Sequence, residues 1–239
     1  MLQNTKQLYG MKLEASDGLI GHVKDFYFDD QSWMVRYLVV DTGSWLSERQ
    51  VLLTHHAFGP DAFGRASVKD KILHTNLNRK QIENSPSIDT HRPVSRQYED
   101  EYHRYYGWPA YWQGGGMWGV AGVPAATLPP DQENPLHHGH NQRDDIHLRS
   151  TSSVVGYQIH ATDHPIGSVC GFMLDGTTWA IRQVLVETGY WFSRKIISVL
   201  PASVGRISYE HSVVYVNLTM AEIDQTANHD VAQADTPPR

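Results

Sequence analysis

The sequence predicts a mainly β protein: two small β-barrels related by internal duplication, each ending in a short C-terminal helix, joined by an irregular connector rich in aromatic residues and histidine. The first observation behind this is self-similarity. Displaced by 146 positions, Gly10 to Gly59 falls on Gly156 to Gly205 without a gap, and 16 of the 50 pairs are identical. A fixed period of this kind marks a repeated structural unit rather than one large domain. The second is that each copy reads as short apolar runs separated by turn residues, the pattern of consecutive strands. The third is a change of composition between the copies. Together they predict a first repeat over 5–86, a connector over 87–150, a second repeat over 151–226 and a disordered tail over 227–239.

The elements follow in order. A first strand near Met11 to Glu14 ends at Ser16-Asp17-Gly18, matched by Thr162-Asp163-His164-Pro165 in the second copy. These are turn residues in both. In the next strand Val23, Phe26 and Phe28 are spaced by three and then two, as are Val169, Phe172 and Leu174. Strict alternation requires two and two. The shared irregularity predicts a β-bulge at Lys24-Asp25 and at Cys170-Gly171, which turns both large residues inward. Turns at Asp29 to Ser32 and Asp175 to Thr178 lead to a third strand, Trp33 to Val40 and Trp179 to Val186. It is apolar on both faces, so it is expected to be the central and most buried strand.

Thr42-Gly43 and Thr188-Gly189 end that strand. A fourth follows at Arg49 to Leu53 and Lys195 to Leu200, and a fifth at Ile72 to Asn76 and Val213 to Asn217. Each copy then closes with a helix. Its start is marked by Asn78 with Gln81, and by Thr219 with Glu222, both at the capping-box interval. Ile82 and Ile223 should dock on the strands. The register has slipped by five residues here, so the second copy has the shorter loop before its last strand. Five twisted antiparallel strands remove their exposed edges by closing, which predicts the barrel.

The run Gly10, Asp17-Gly18, Ile20-Gly21, Val23, Phe26, Asp29, then Trp33, Arg36-Tyr-Leu-Val-Val-Asp-Thr-Gly43 and Trp45 resembles the PRC-barrel family, and Leu77 to Pro86 resembles the usual end of that domain. Both copies match over most of their length. The resemblance has two better-known relatives with different jobs, and implies either as an expectation here. In the photosynthetic reaction-centre H subunit such a barrel caps a membrane complex and influences electron and proton transfer to quinone. In the RimM-type ribosome maturation factor it binds a ribosomal protein.

The connector differs in kind. From Tyr98 to Trp118 there are eight aromatics in 21 positions, against 10% for the whole chain. The excess points to a tether packed on the repeats, a clamp for a hydrophobic peptide, or a base-stacking surface. The net charge of −6 and the absence of a basic run argue against direct nucleic-acid binding. A single cysteine, Cys170, excludes an internal disulfide, so a cytoplasmic setting is expected. No apolar run is long enough to span a membrane, which leaves peripheral contact with a membrane complex open.

Several motifs invite chemistry. Asp41-Thr42-Gly43 resembles half of an aspartic-protease dyad, but the second copy reads Glu187-Thr188-Gly189, whose longer side chain spoils a symmetric pair. His137, His138 and His140 lie in a polar stretch without cysteine, and no metal site is expected there. Cys170 has neutral sequence neighbours and reads as an inert thiol. The expectation is therefore no enzyme activity, no cofactor and no metal, with a protein partner or self-association. The candidate contact residues are Trp45 and Trp191, Arg36 and Arg182, and Tyr105, Tyr106, Trp108, Tyr111 and Trp112 of the connector. Arg36 and Arg182 have a second reading, as ion pairs with Asp29, Asp175, Asp41 or Glu187. Trp45 and Trp191 have one too, as packing between the two barrels.

Overall fold

The computed structural model describes residues 1–46, 49–60, 62–86, 96–108, 147–189 and 195–223. The chain divides into two compact units, one of Met1–Glu83 with His147–Arg239, the other Asn84–Ile146. Both copies of the repeat lie in the first unit.

That unit holds two sheets. In the first copy, β2 (Lys12–Ala15), β3 (Gly18–Asp29), β4 (Val35–Asp41), β5 (Gln50–Leu53) and β6 (Ile72–His74) lie in the order β5-β4-β3-β2-β6. In the second copy, β8 (Gln158–His160), β9 (Pro165–Asp175), β10 (Ile181–Thr188), β11 (Lys195–Val199), β12 (Val204–Ser208) and β13 (Val213–Val216) run β11-β10-β9-β8-β13-β12. The mainly β class and the two-copy layout are as the sequence predicts. Neither sheet is joined edge to edge by a further ladder among the described residues, so each is described as a sheet.

The bulge lies where the shared spacing puts it. Val23 pairs with Val40 and Asp25 with Val39, which leaves Lys24 as the extra residue. In the second copy Val169 pairs with Val186 and Gly171 with Leu185, leaving Cys170. Phe26, Phe28, Phe172 and Leu174 are consequently all fully buried. The capping boxes also form. Asn78 Oδ1 accepts from Gln81 N while Asn78 N donates to Gln81 Oε1, at 2.8 and 2.9 Å. Thr219 N donates to Glu222 at 2.8 Å, and this bond, with that from the Thr219 hydroxyl, holds the Glu222 carboxyl below the usual range. Asp17 and Asp163 reach the same helices, each accepting from the first helical N–H, that of Arg79 and of Met220. Ile82, on α3 (Arg79–Glu83), and Ile223 are buried as expected.

Four expectations need correction. The third strand starts at Val35 and Ile181, because Trp33 and Trp179 close the preceding turns in left-handed conformations, with φ of 57° and 59°. The long bulged strand, β3 or β9, lies one place nearer the middle of its sheet than β4 or β10, although β4 has the expected burial, with Tyr37 to Val40 all buried. The last strand runs parallel to the first, β6 along β2 and β13 along β8. In the first copy the chain is brought round for this by α2 (Arg65–Asp70), ending at Lys71 with φ of 55°; in the second the shorter loop gives the β12–β13 hairpin instead. Finally, the connector is not wholly irregular: α4 (Arg96–Tyr106) is an α-helix.

The sequence gives no hint of a further feature. Each copy is preceded by an arm, a three-residue strand and one helical turn: β1 (Leu2–Asn4) with α1 (Thr5–Leu8), and β7 (Leu148–Ser150) with α5 (Thr151–Val154). Each arm pairs with the other copy's sheet. Gln3 lies opposite Leu174 and Arg149 opposite Phe28, positions that correspond under the 146-residue shift. The seam is completed by Val35 N donating to Trp179 O and Ile181 N to Trp33 O, both at 2.8 Å, and by ring contact between Phe28 and Phe172 at 5.6 Å. The two copies are thus one body with shared strands and a shared core.

Candidate functional site

The structure gathers polar side chains at one end of this seam. The bulge turns Asp25 inward at the foot of α5, where Oδ1 accepts from the N–H groups of Phe26 and Ser152 and from the Thr151 hydroxyl at 2.8 Å. Its Oδ2 accepts from the hydroxyls of Ser150 and Ser152. Five residues along, Asp30 in the β3–β4 turn holds Arg149 Nε at 2.7 Å and His147 Nδ1 at 2.9 Å. Burial pushes the phenols of Tyr9 and Tyr27 up, and the nearby Asp25 charge adds to both. Tyr9 keeps a 2.9 Å hydrogen bond to Thr151.

Every acidic oxygen here is engaged by donors from the opposite arm. The arrangement is chemically a lock: it orders a segment, and it aims no nucleophile or base at an open cleft. Comparing identical pairs of residues missed it, because Asp25 and Asp30 stand where the second copy has Gly171 and Gly176. The signal available in the sequence was that difference.

Each predicted contact residue among the described ones has its own local setting. Arg36 pairs with Asp29, whose carboxylate also accepts from Gln31 N, Ser32 N and the Ser32 hydroxyl of the same turn. Arg182 reaches Asp175 at 3.6 Å across the matching turn. The Thr178 hydroxyl and the Thr177 N–H hold the Asp175 carboxyl below its usual range. Both arginines thus form an ion pair with the aspartate of their own turn. Trp45 is half-buried beneath the guanidinium of Arg79, 4.5 Å from the ring centroid, so the closing helix of its own copy covers it. In the connector helix Tyr106 stacks on Trp108 at 4.2 Å, and Tyr105 is exposed. Trp191, Tyr111, Trp112, His137, His138, His140 and the tail over 227–239 lie outside the described residues.

The protease-like turn has a structural explanation in both copies. Thr42 Oγ1 donates to Arg49 O at 2.6 Å and Thr188 Oγ1 to Lys195 O at 3.1 Å, while Gly43 and Gly189 take positive φ. Asp41 accepts from Gly43 N. Burial raises the Cys170 thiol, only partly offset by the charge of Lys6. Alkylation of Cys170 should accordingly be slower than that of a free thiol at pH 8 and keep rising beyond pH 9. A rate plateau below pH 8.5 in an iodoacetamide profile would contradict this.

Among the described residues no helix is long and apolar enough to cross a membrane, and no cluster of metal-ligating side chains occurs. No curated protein matches the chain. The family model of the PRC-barrel domain matches over residues 6–81, from the first arm's helix through the closing helix. That span contains the strands, the bulge and the cap whose logic the sequence displays. Residues 6–81 are a PRC-barrel domain.

Proposed function

We propose that the protein is a non-catalytic interaction or scaffold protein, built from two PRC-type barrels that act as one rigid body and bind another protein. Each sheet is read as curling into a barrel, the loop after β5 meeting β6 through the Phe58–Thr75 bridge. The observation that carries the binding role is the outer strand of the second sheet. On β11, Ile196 is 63% exposed, and Leu200 just beyond it is 54% exposed. The equivalent positions of the first copy, Gln50 and Thr54, are polar, while Ile197 and Val199 between them are buried as Val51 and Leu53 are. Among the described residues β11 is the outermost strand of its sheet, and exposed apolar side chains there mark a contact surface for a partner.

The test is a photo-crosslinking residue at position 196 of the full-length protein, expressed in its own cells. A discrete adduct to a second protein, lost on Leu200→Lys, is the expected result. Crosslinks only to the same protein would favour self-association, and an absence of adducts would overturn the edge as a contact site. Ile196→Lys itself should leave thermal stability within about 0.5 kcal/mol of wild type, as an exposed substitution does, measured by thermal denaturation.

A further inference from the structure

We propose that the two copies are a matched pair: the groove formed by β3 and the turn at 29–34 selects the arm at 147–154 over the homologous arm at 1–8, and Asp25 and Asp30 make the selection. This is a recognition function inside the chain, distinct from the binding edge proposed above.

Part of the docking is common to both arms and discriminates nothing. Thr5 and Thr151 are fully buried at equivalent places, and each hydroxyl oxygen accepts from a phenylalanine N–H of the other copy, Phe172 and Phe26, at 3.3 Å. The flanking positions differ. The first groove presents Asp25 and Asp30 to Ser150, Ser152, His147 and Arg149. The second presents Gly171 and Gly176, of which Gly176 leaves no room for a side chain and Gly171 leaves little. A Cβ at Gly171 would meet Asn4 Oδ1 at 3.3 Å, and one at Gly176 would meet Phe63 Cβ at 2.8 Å.

Exchanging the arms is unfavourable at both positions of the first groove. Asn4 and Lys6 would stand where Ser150 and Ser152 now donate to Asp25, so both hydroxyl bonds to its Oδ2 would be lost, with the Lys6 charge only a partial replacement. Asp30, whose side chain is only 12% exposed, would lose the Arg149 guanidinium and the His147 ring together. A buried carboxylate stripped of its donors carries its full desolvation cost, so the wrong pairing is penalised as well as the right one favoured. In the cell this matters because the same arms and grooves exist on every molecule. Without selection, like copies on different chains would pair and link molecules together.

The experiment uses the full-length protein with a protease site inserted between residues 120 and 140, purified intact and then cut. After unfolding in urea and refolding by dilution, native mass spectrometry counts the pairs. The expected product contains one N-terminal and one C-terminal fragment, with same-fragment pairs at least roughly tenfold rarer, the ratio that loss of a charge-assisted pair implies. Asp25→Gly with Asp30→Gly should raise the same-fragment share by about the same factor. His147→Ala with Arg149→Ala changes only partly exposed arm positions, leaves the groove intact and should shift pairing in the same direction. Statistical pairing in the wild type, fragments that stay apart, or folded variants as selective as the wild type would each overturn the proposal.

Discussion

Gly21→Ala is expected to cost about 3 kcal/mol or more and to leave little folded protein at 37 °C. A Cβ at this position would lie 2.0 Å from the carbonyl oxygen of Asp41, 2.8 Å from its carbon and 2.9 Å from Thr42 Cα. All three are backbone atoms, so no rotamer change can relieve the overlap. The ladder between β3 and β4, where His22 faces Asp41, would have to open at its end. Gly167→Ala meets Glu187 O at 2.1 Å and should behave alike. Gly59→Ala is the control, because nothing lies within 4 Å of the added atom and its φ is not positive. Urea denaturation of the three variants decides the matter. Equal midpoints for Gly21→Ala and Gly59→Ala would show that the strands can part at no cost.

Phe172→Ala, in the second copy, is expected to destabilise both copies together by about 3–5 kcal/mol. Phe172 is fully buried and its ring meets Phe28 of the first copy, which in turn stacks on Trp33 at 5.4 Å. The cavity therefore opens in a core that belongs to both sheets. Thermal unfolding should remain a single transition, lowered by about 6–20 °C for a unit of this size. Hydrogen exchange should show faster exchange of the β4 amides as well as those of β10. If only the β9 and β10 amides lose protection, the copies are energetically separate despite their contacts.

The sequence makes the interior of each repeat legible because there the two copies repeat each other. The spacing of Val23, Phe26 and Phe28, matched in the second copy, is a direct trace of the bulge, and the capping-box intervals are a direct trace of the closing helices. Identity at Gly21/Gly167 and Asp17/Asp163 is equally visible, and the structure supplies its causes: close backbone approach and helix capping. What stays hidden is whatever depends on distant partners. Leu2–Asn4 and Leu148–Ser150 are too short to show a period, and their pairing with the opposite copy leaves no local trace.

The candidate site was hidden for a further reason. Asp25 and Asp30 each lie beside identical pairs but are themselves unmatched, and duplication rewards attention to what is the same. The positive φ of Trp33 and Trp179 is another case. Bulky aromatic residues avoid that region. Here each carbonyl is fastened by an N–H of the other copy, a tertiary bond that overrides local preference.

The exchanged arms also set a schedule for biosynthesis. Ser150 follows Asp25 by 125 residues. At about 5–20 residues per second, the ribosome needs roughly 6–25 s to supply it. Throughout that interval the C-terminal half of β3 is an edge awaiting its neighbour, on a nascent chain that already carries the rest of the first sheet. The edge bears Asp25, and the turn at its end Asp30, while Asp29 is already paired with Arg36. Like charge along a waiting edge repels the same edge on a neighbouring nascent chain. The acidic residues that later receive the arm thus protect the unfinished protein from pairing with its own kind on a polysome.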